Sequence, residues 1–117
     1  MIYLASPYSD DDPEVRERRF HHALNAATDL SKKEVVFSPI VYGHFLWAAC
    51  ANEGIELPFT FEYWESLNNP MIAACDTFAV LMLSGWENSL GVGAELALAQ
   101  RLRKKIVYMK VEISENN

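Results

Sequence analysis

Glu95 is the residue of this sequence best placed to do chemistry. It stands in "GWENSLGVGAEL" (85–96), where a Gly-containing turn runs into an apolar helical stretch. Val92, Glu95, Ala99 and Leu102 recur at helical spacing, so the carboxylate lies on or beside an inward-facing stripe. It also lies near a helix start, whose dipole favours an ionised acid. An ionised, partly desolvated carboxylate beside an anion-binding turn can attack an electrophilic carbon. A helix-end ion pair or an edge-exposed Glu fits the same pattern, and spacing alone favours that structural role.

The turn has its own chemistry. Ser89 can cap the helix, and Gly91 and Gly93 remove side chains near its first turns. Backbone N–H groups left bare there attract anions such as phosphate. A GxG before a helix also serves simply to pack against a strand. Tyr3, Ala5, Ser6, Pro7 and Tyr8 stand at the end of the first apolar run. Rings there can stack on a base and hydroxyls can bond a sugar. Core packing for Tyr3 and strand termination for Ser6-Pro7 are the structural alternatives. His44 lies in an apolar helical stretch and is either a satisfied buried His or a pocket residue. Glu62, Glu65 and Asn68 share a helix face at three-residue steps, by default a solvated one. No HxH, HxxxH or Cys/His cluster is present, so no metal site is expected, and neither is a cofactor. Walker and GxSxG patterns are absent as well.

These residues need elements to position them. "MIYLAS" reads as a buried strand. Asp12-Pro13-Glu14 opens a helix that runs to about Lys33, with Phe20, Leu24, Ala27 and Leu30 on its buried face. "EVVFSPI" is a second strand, halted by Ser38-Pro39, and residues 41–53 form an apolar helix. "EGIELPF" is a loop and 61–74 a helix. "TFAVLML" is the third strand, 90–103 the next helix and "KIVYMKV" the last strand. This alternation predicts an α/β fold, a small doubly wound parallel sheet of order 2-1-3-4 with helices on both faces, and one domain over 1–117. In such sheets ligands sit beyond the strand ends at the switch point. The loops there are "ASPYS" (5–9) and "SGWENSLG" (84–91), which adds Ser84, Gly85 and Trp86 to the candidate site.

Composition narrows the partners. The 117 residues are 50% apolar and 22% charged, enough for a core, and the net charge is −6. An acidic chain is a poor partner for polymeric nucleic acid, which is gripped by clustered Lys and Arg. The cluster Arg101, Arg103, Lys104 and Lys105 falls at a helix end, where positive charge suits the dipole. Cys50 and Cys75 read as small buried residues of a reducing compartment. With no signal peptide and no apolar run of membrane-spanning length, a cytoplasmic protein without a membrane partner is expected.

Three segments, "IYLASPYS", "FSPI" and "CDTFAVLMLSGWENSLGVGAELALA", together resemble the nucleoside 2-deoxyribosyltransferase-like superfamily, and most of all a small branch from bacteria and phages. The resemblance implies that Glu95 attacks the anomeric carbon of a nucleoside or nucleotide. The base leaves, and water or a second base releases the sugar from a covalent ester. Tyr3 matches the strand-one Tyr that positions the nucleophile. Position 89 carries Asp in the transferases acting on free nucleosides, whereas "SLGVGAEL" is similar to the run in deoxynucleoside 5′-monophosphate N-hydrolases. Ser89 tolerates a phosphate dianion that Asp would repel. The superfamily usually has Asp eight residues before the Asp of the "CD" pair, in contact with the sugar or the leaving base. Asn68 stands there, and an amide is no general acid. Activity is then weak, or Glu65 serves, or the base leaves unassisted, or the chain is a non-catalytic nucleotide-binding protein. The resemblance also implies a homodimer or higher homo-oligomer, with a polar residue from the neighbour's C-terminal region completing the site. Residues 41–60, with His44, Trp47 and Phe59, are the alternative wall or dimer face.

Overall fold

Four parallel strands lie at the centre of the chain in the computed structural model, which describes residues 1–111. In chain order the elements are β1 (Ile2–Ala5), α1 (Pro13–Leu30), β2 (Val36–Phe37), α2 (Pro39–Glu53), α3 (Phe61–Ala74), β3 (Thr77–Leu81), α4 (Leu90–Arg101) and β4 (Lys105–Met109). The sheet order is β2-β1-β3-β4, as the alternation predicts. Tyr3 is paired with Phe37 on one side and Phe78 on the other, so β1 and β3 are the central strands. Alternation along β1 sends Tyr3 and Ala5 to one face, with Ile72, Phe78, Val92 and Ala99. Leu4 goes to the other face, with Ala27, Ala79 and Leu81. Helices α3 and α4 therefore cover one face and α1 the other. Cys50 and Cys75 are free and buried.

Short polar residues start every helix. The side chains of Asp12, Ser38, Thr60 and Ser89 accept hydrogen bonds from N–H groups in the first turns of α1 to α4. Ser38 shows how one cap revises two expectations. The second strand is only Val36–Phe37, and α2 begins at Pro39 rather than at 41. Pro39 has no N–H for a ladder but suits the first helical position, so the chain turns from strand to helix within "FSP". Val35 is left exposed at the sheet edge. Helix α1 stops at Leu30, short of Lys33, where the Ser31 hydroxyl donates to the Ala27 carbonyl at 2.7 Å. Helix α4 stops at Arg101, short of 103. Lys104, from the basic cluster, donates at 2.7 Å to the carbonyl of Ala73 in the last turn of α3. Its charge thus serves the end of α3 rather than that of its own helix. Among the described residues no helix is long and apolar enough to cross a membrane.

Candidate functional site

The carboxyl ends of β1 and β3 open into a cavity of about 770 Å³, within the roughly 300–1,000 Å³ typical of small-molecule sites. The start of α4 supplies one wall with Ser89, Leu90, Gly91, Ala94 and Glu95. Helix α3 adds Trp64, Glu65 and Asn68. Ser6 and Tyr8 come from the β1 loop, Arg16 and Glu17 from α1, and Gly43, His44 and Trp47 from α2. The chain between α2 and α3 contributes Phe59. The cavity thus spans the sheet edge from α3 and α4 to α1 and α2.

Glu95 lines this cavity, and Tyr3 lies buried behind it without lining the cavity itself. Tyr3 is fully buried and held by rings on both neighbouring strands, stacked on Phe78 at 5.3 Å and tilted against Phe37 at 5.7 Å. Its hydroxyl donates to the Glu95 carboxylate. Burial, then the neighbouring carboxylate, push the phenol far above its ordinary range. Tyr3 is therefore a fixed donor that does not itself ionise. Glu95 keeps some exposed surface toward the cavity, but its carboxyl group is enclosed, and that depth governs its charge. Burial raises its pKa from 4.5 to about 7, against the lowering effect of the Tyr3 hydrogen bond. Glu95 is the sixth residue of α4, beyond the first turn where the dipole acts, and desolvation wins.

The start of α4 forms part of the cavity wall. The Ser89 hydroxyl accepts from the Val92 N–H at 3.2 Å and keeps its own proton to donate. The N–H groups of Leu90 and Gly91 have no carbonyl four residues back within the helix, and both residues line the cavity. Gly93, in contrast, faces outward into open space. Ala5 and Pro7 are buried beneath the β1 loop and do not line the cavity. Ser84 and Gly85 are exposed outside it, and Trp86 turns toward the core and Tyr108 instead. Of the candidates Ser6, Tyr8, His44, Asn68, Ser89, Gly91 and Glu95, every one lines the cavity. Two of them carry buried polar atoms without a hydrogen-bond partner, Ser6 Oγ and Asn68 Oδ1.

Arg19 is missed by the sequence reading because its neighbours are far along the chain. Its guanidinium donates to the carbonyls of Ser9 at 3.0 Å and Ser84 at 3.1 Å. It thereby ties together the two loops that flank the switch point. Gly85, at φ +90°, lies against it, and a Cβ there would stand 2.8 Å from an Arg19 nitrogen. Gly85→Ala is expected to cost about 1–3 kcal/mol through the left-handed backbone alone, read as a lower midpoint in urea unfolding. Gly43 is similarly constrained: a Cβ would approach the Trp64 indole at 3.3 Å. Trp64, stacked on Phe59 at 5.2 Å, is a further cavity residue with no chemical signature in the sequence.

A family model described as "Domain of unknown function (DUF1937)" matches residues 1–111. The chain belongs to this family. The DUF1937 match takes in every element of the sheet and every cavity-lining residue. Comparison with curated proteins finds no match. Among the described residues, no three His, Cys, Asp or Glu side chains are grouped to hold a metal ion. The C-terminal contribution expected from a neighbouring copy extends into residues 112–117, outside the described residues.

Proposed function

We propose that this chain cleaves the N-glycosidic bond of a (deoxy)nucleoside 5′-monophosphate, with Glu95 as nucleophile and water or a second base as acceptor. The observation that carries the reading is Glu95 in the cavity wall, held from behind by the buried Tyr3 hydroxyl and one helical turn from the first N–H groups of α4. A carboxylate with pKa about 7 is part ionised at neutral pH and poorly solvated, so it is both available and reactive. The phosphate would lie on Ser89 and the first turn of α4, and the sugar's anomeric carbon over Glu95. The resemblance to the nucleoside 2-deoxyribosyltransferase-like superfamily agrees with this arrangement. The test is base release from the common nucleosides and their 5′-monophosphates, ribo and deoxy, by the purified protein. No release from any of them would sink the enzyme reading.

Ser89 is the lever on substrate choice. Aspartate caps a helix as well as serine does, so Ser89→Asp keeps α4. It places a charge against the phosphate dianion. The expected result is at least a tenfold loss in kcat/KM for the monophosphate, equivalent to about 1.4 kcal/mol, with the free nucleoside little affected. An equal loss on both substrates would remove the phosphate from this position.

A second reading, a non-catalytic nucleotide-binding protein, is favoured by Asn68. Its amide carries an unpartnered oxygen in the cavity and has no proton to give a leaving base. This reading predicts a higher melting temperature with a nucleoside monophosphate and no base release from it.

A further inference from the structure

One wall of the cavity brings together three polar groups, Tyr8 from the loop after β1, His44 from α2 and Glu17 from α1. The Tyr8 hydroxyl is 3.0 Å from His44 Nδ1, and His44 Nε2 is 3.8 Å from a Glu17 carboxylate oxygen. The imidazole lies flat on Phe20 at 3.8 Å, with ring planes 17° apart, so its orientation is fixed by packing. All three polar residues line the cavity, and none contributes to the fold's sheet.

Displacement geometry gives this chain a task, on the reading of Glu95 as a glycosidic nucleophile. Attack by Glu95 at the anomeric carbon expels the base on the opposite side of that carbon. With the phosphate on the start of α4, as proposed above, the base would lie across the cavity against the wall that holds Tyr8, His44 and Glu17. The departing nitrogen gains an electron pair there and needs a proton. Asn68 has none to give. We propose that Tyr8 donates this proton to the leaving base and that His44, held by Phe20 and faced by Glu17, replaces it.

The step balances. The Glu95 Oε–C1′ bond forms and the C1′–N bond breaks. The base nitrogen keeps the bonding pair and takes the Tyr8 proton; His44 enters the step as imidazolium opposite the Glu17 carboxylate, and its Nδ1 proton moves to the Tyr8 oxygen, leaving a neutral imidazole. In the second step water attacks C1′, the ester bond to Glu95 breaks, and the proton lost by water returns along the same chain to His44. Burial holds the Tyr8 phenol above its ordinary range. It therefore rests protonated and passes on only what the imidazole restores. Imidazole is the side chain suited to that exchange near neutral pH.

The test varies the leaving group. The wild type, Tyr8→Phe, His44→Gln and Glu65→Gln are assayed on the four deoxynucleoside 5′-monophosphates and on N7-methylated dGMP, whose base departs without taking a proton. Tyr8→Phe and His44→Gln are expected to lower kcat on the ordinary substrates by about 10²-fold or more, the scale of general acid catalysis. Both should stay within a few-fold of wild type in single-turnover release of the methylated base, which precedes the attack of water. Tyr8→Phe removes a single oxygen, which keeps the test valid if His44→Gln does not fold. Equal losses on both substrate types, or no loss, overturn the relay. So does a leaving-group-dependent loss confined to Glu65→Gln, which would make that neighbouring carboxyl the donor. A wild type that cleaves neither kind of substrate fails differently, because it removes the glycosidase reading itself.

Discussion

Glu95→Gln is expected to stop base release, with a loss of at least about 10³-fold, because the amide is isosteric but cannot form the glycosyl ester. The same variant should be more stable than wild type in alkaline buffer. The folded pKa of Glu95 is about 7, above its ordinary 4.5. The folded state therefore holds a proton that the unfolded state has lost between these values. That contribution to stability is full below pH 4.5 and disappears as pH rises through 7. Above pH 7 the fold carries a buried charge that costs up to about 3 kcal/mol, each pKa unit being about 1.4 kcal/mol. Glutamine carries no charge at any pH. Melting curves of the two proteins should lie close together near pH 4.5 and separate by several degrees at pH 8, with the variant higher. A gap that does not change with pH would mean that Glu95 is solvated in solution, and the nucleophile reading would lose its physical basis.

Tyr3→Phe tests the other half of the pair. The phenol supplies the hydrogen bond that holds the Glu95 pKa down. Removing it leaves burial unopposed, so the pKa rises above about 7. The rising limb of kcat/KM against pH, set by the ionisation of the free enzyme's nucleophile, should lie near pH 7 in wild type and move to higher pH in the variant. At pH 7 the rate should fall by about fivefold for a one-unit move and recover as pH is raised. The ring remains between Phe37 and Phe78, so stability at low pH should change little. A uniform loss at all pH values would show that Tyr3 matters for packing and not for the charge on Glu95.

Local rules made much of this protein legible in advance. Asp12-Pro13, Ser38-Pro39 and Ser89 mark helix starts by chemistry confined to one turn. Apolar runs separated by such helices dictate a parallel sheet, because right-handed crossovers leave few orders for its strands. From that order alone, the loops 5–9 and 84–91 fall beside one another at the switch point. Helical spacing likewise brought Glu95 to the edge of a buried stripe, where Val92 and Ala99 are buried; Leu102, read as part of the same stripe, is exposed because α4 ends at Arg101.

Which atoms face the cavity was decided only by the tertiary structure. Loop 84–91 contains both Ser89, which lines the cavity, and Trp86, which turns into the core against Tyr108. A one-dimensional pattern does not distinguish them, because the choice depends on what stands across the gap. The pairing of Tyr8 with His44 and Glu17, and the Arg19 tie between two loops, join groups from separate elements. The charge on Glu95 is decided in the same way. Its helix position suggested an ionised acid, but the low-dielectric surroundings assembled by β1, α3 and α4 raise its pKa to about 7. Caps and periodicity act within a turn or two of chain and can be read along it. Desolvation and hydrogen bonding act through space, between residues as far apart in sequence as Tyr3 and Glu95.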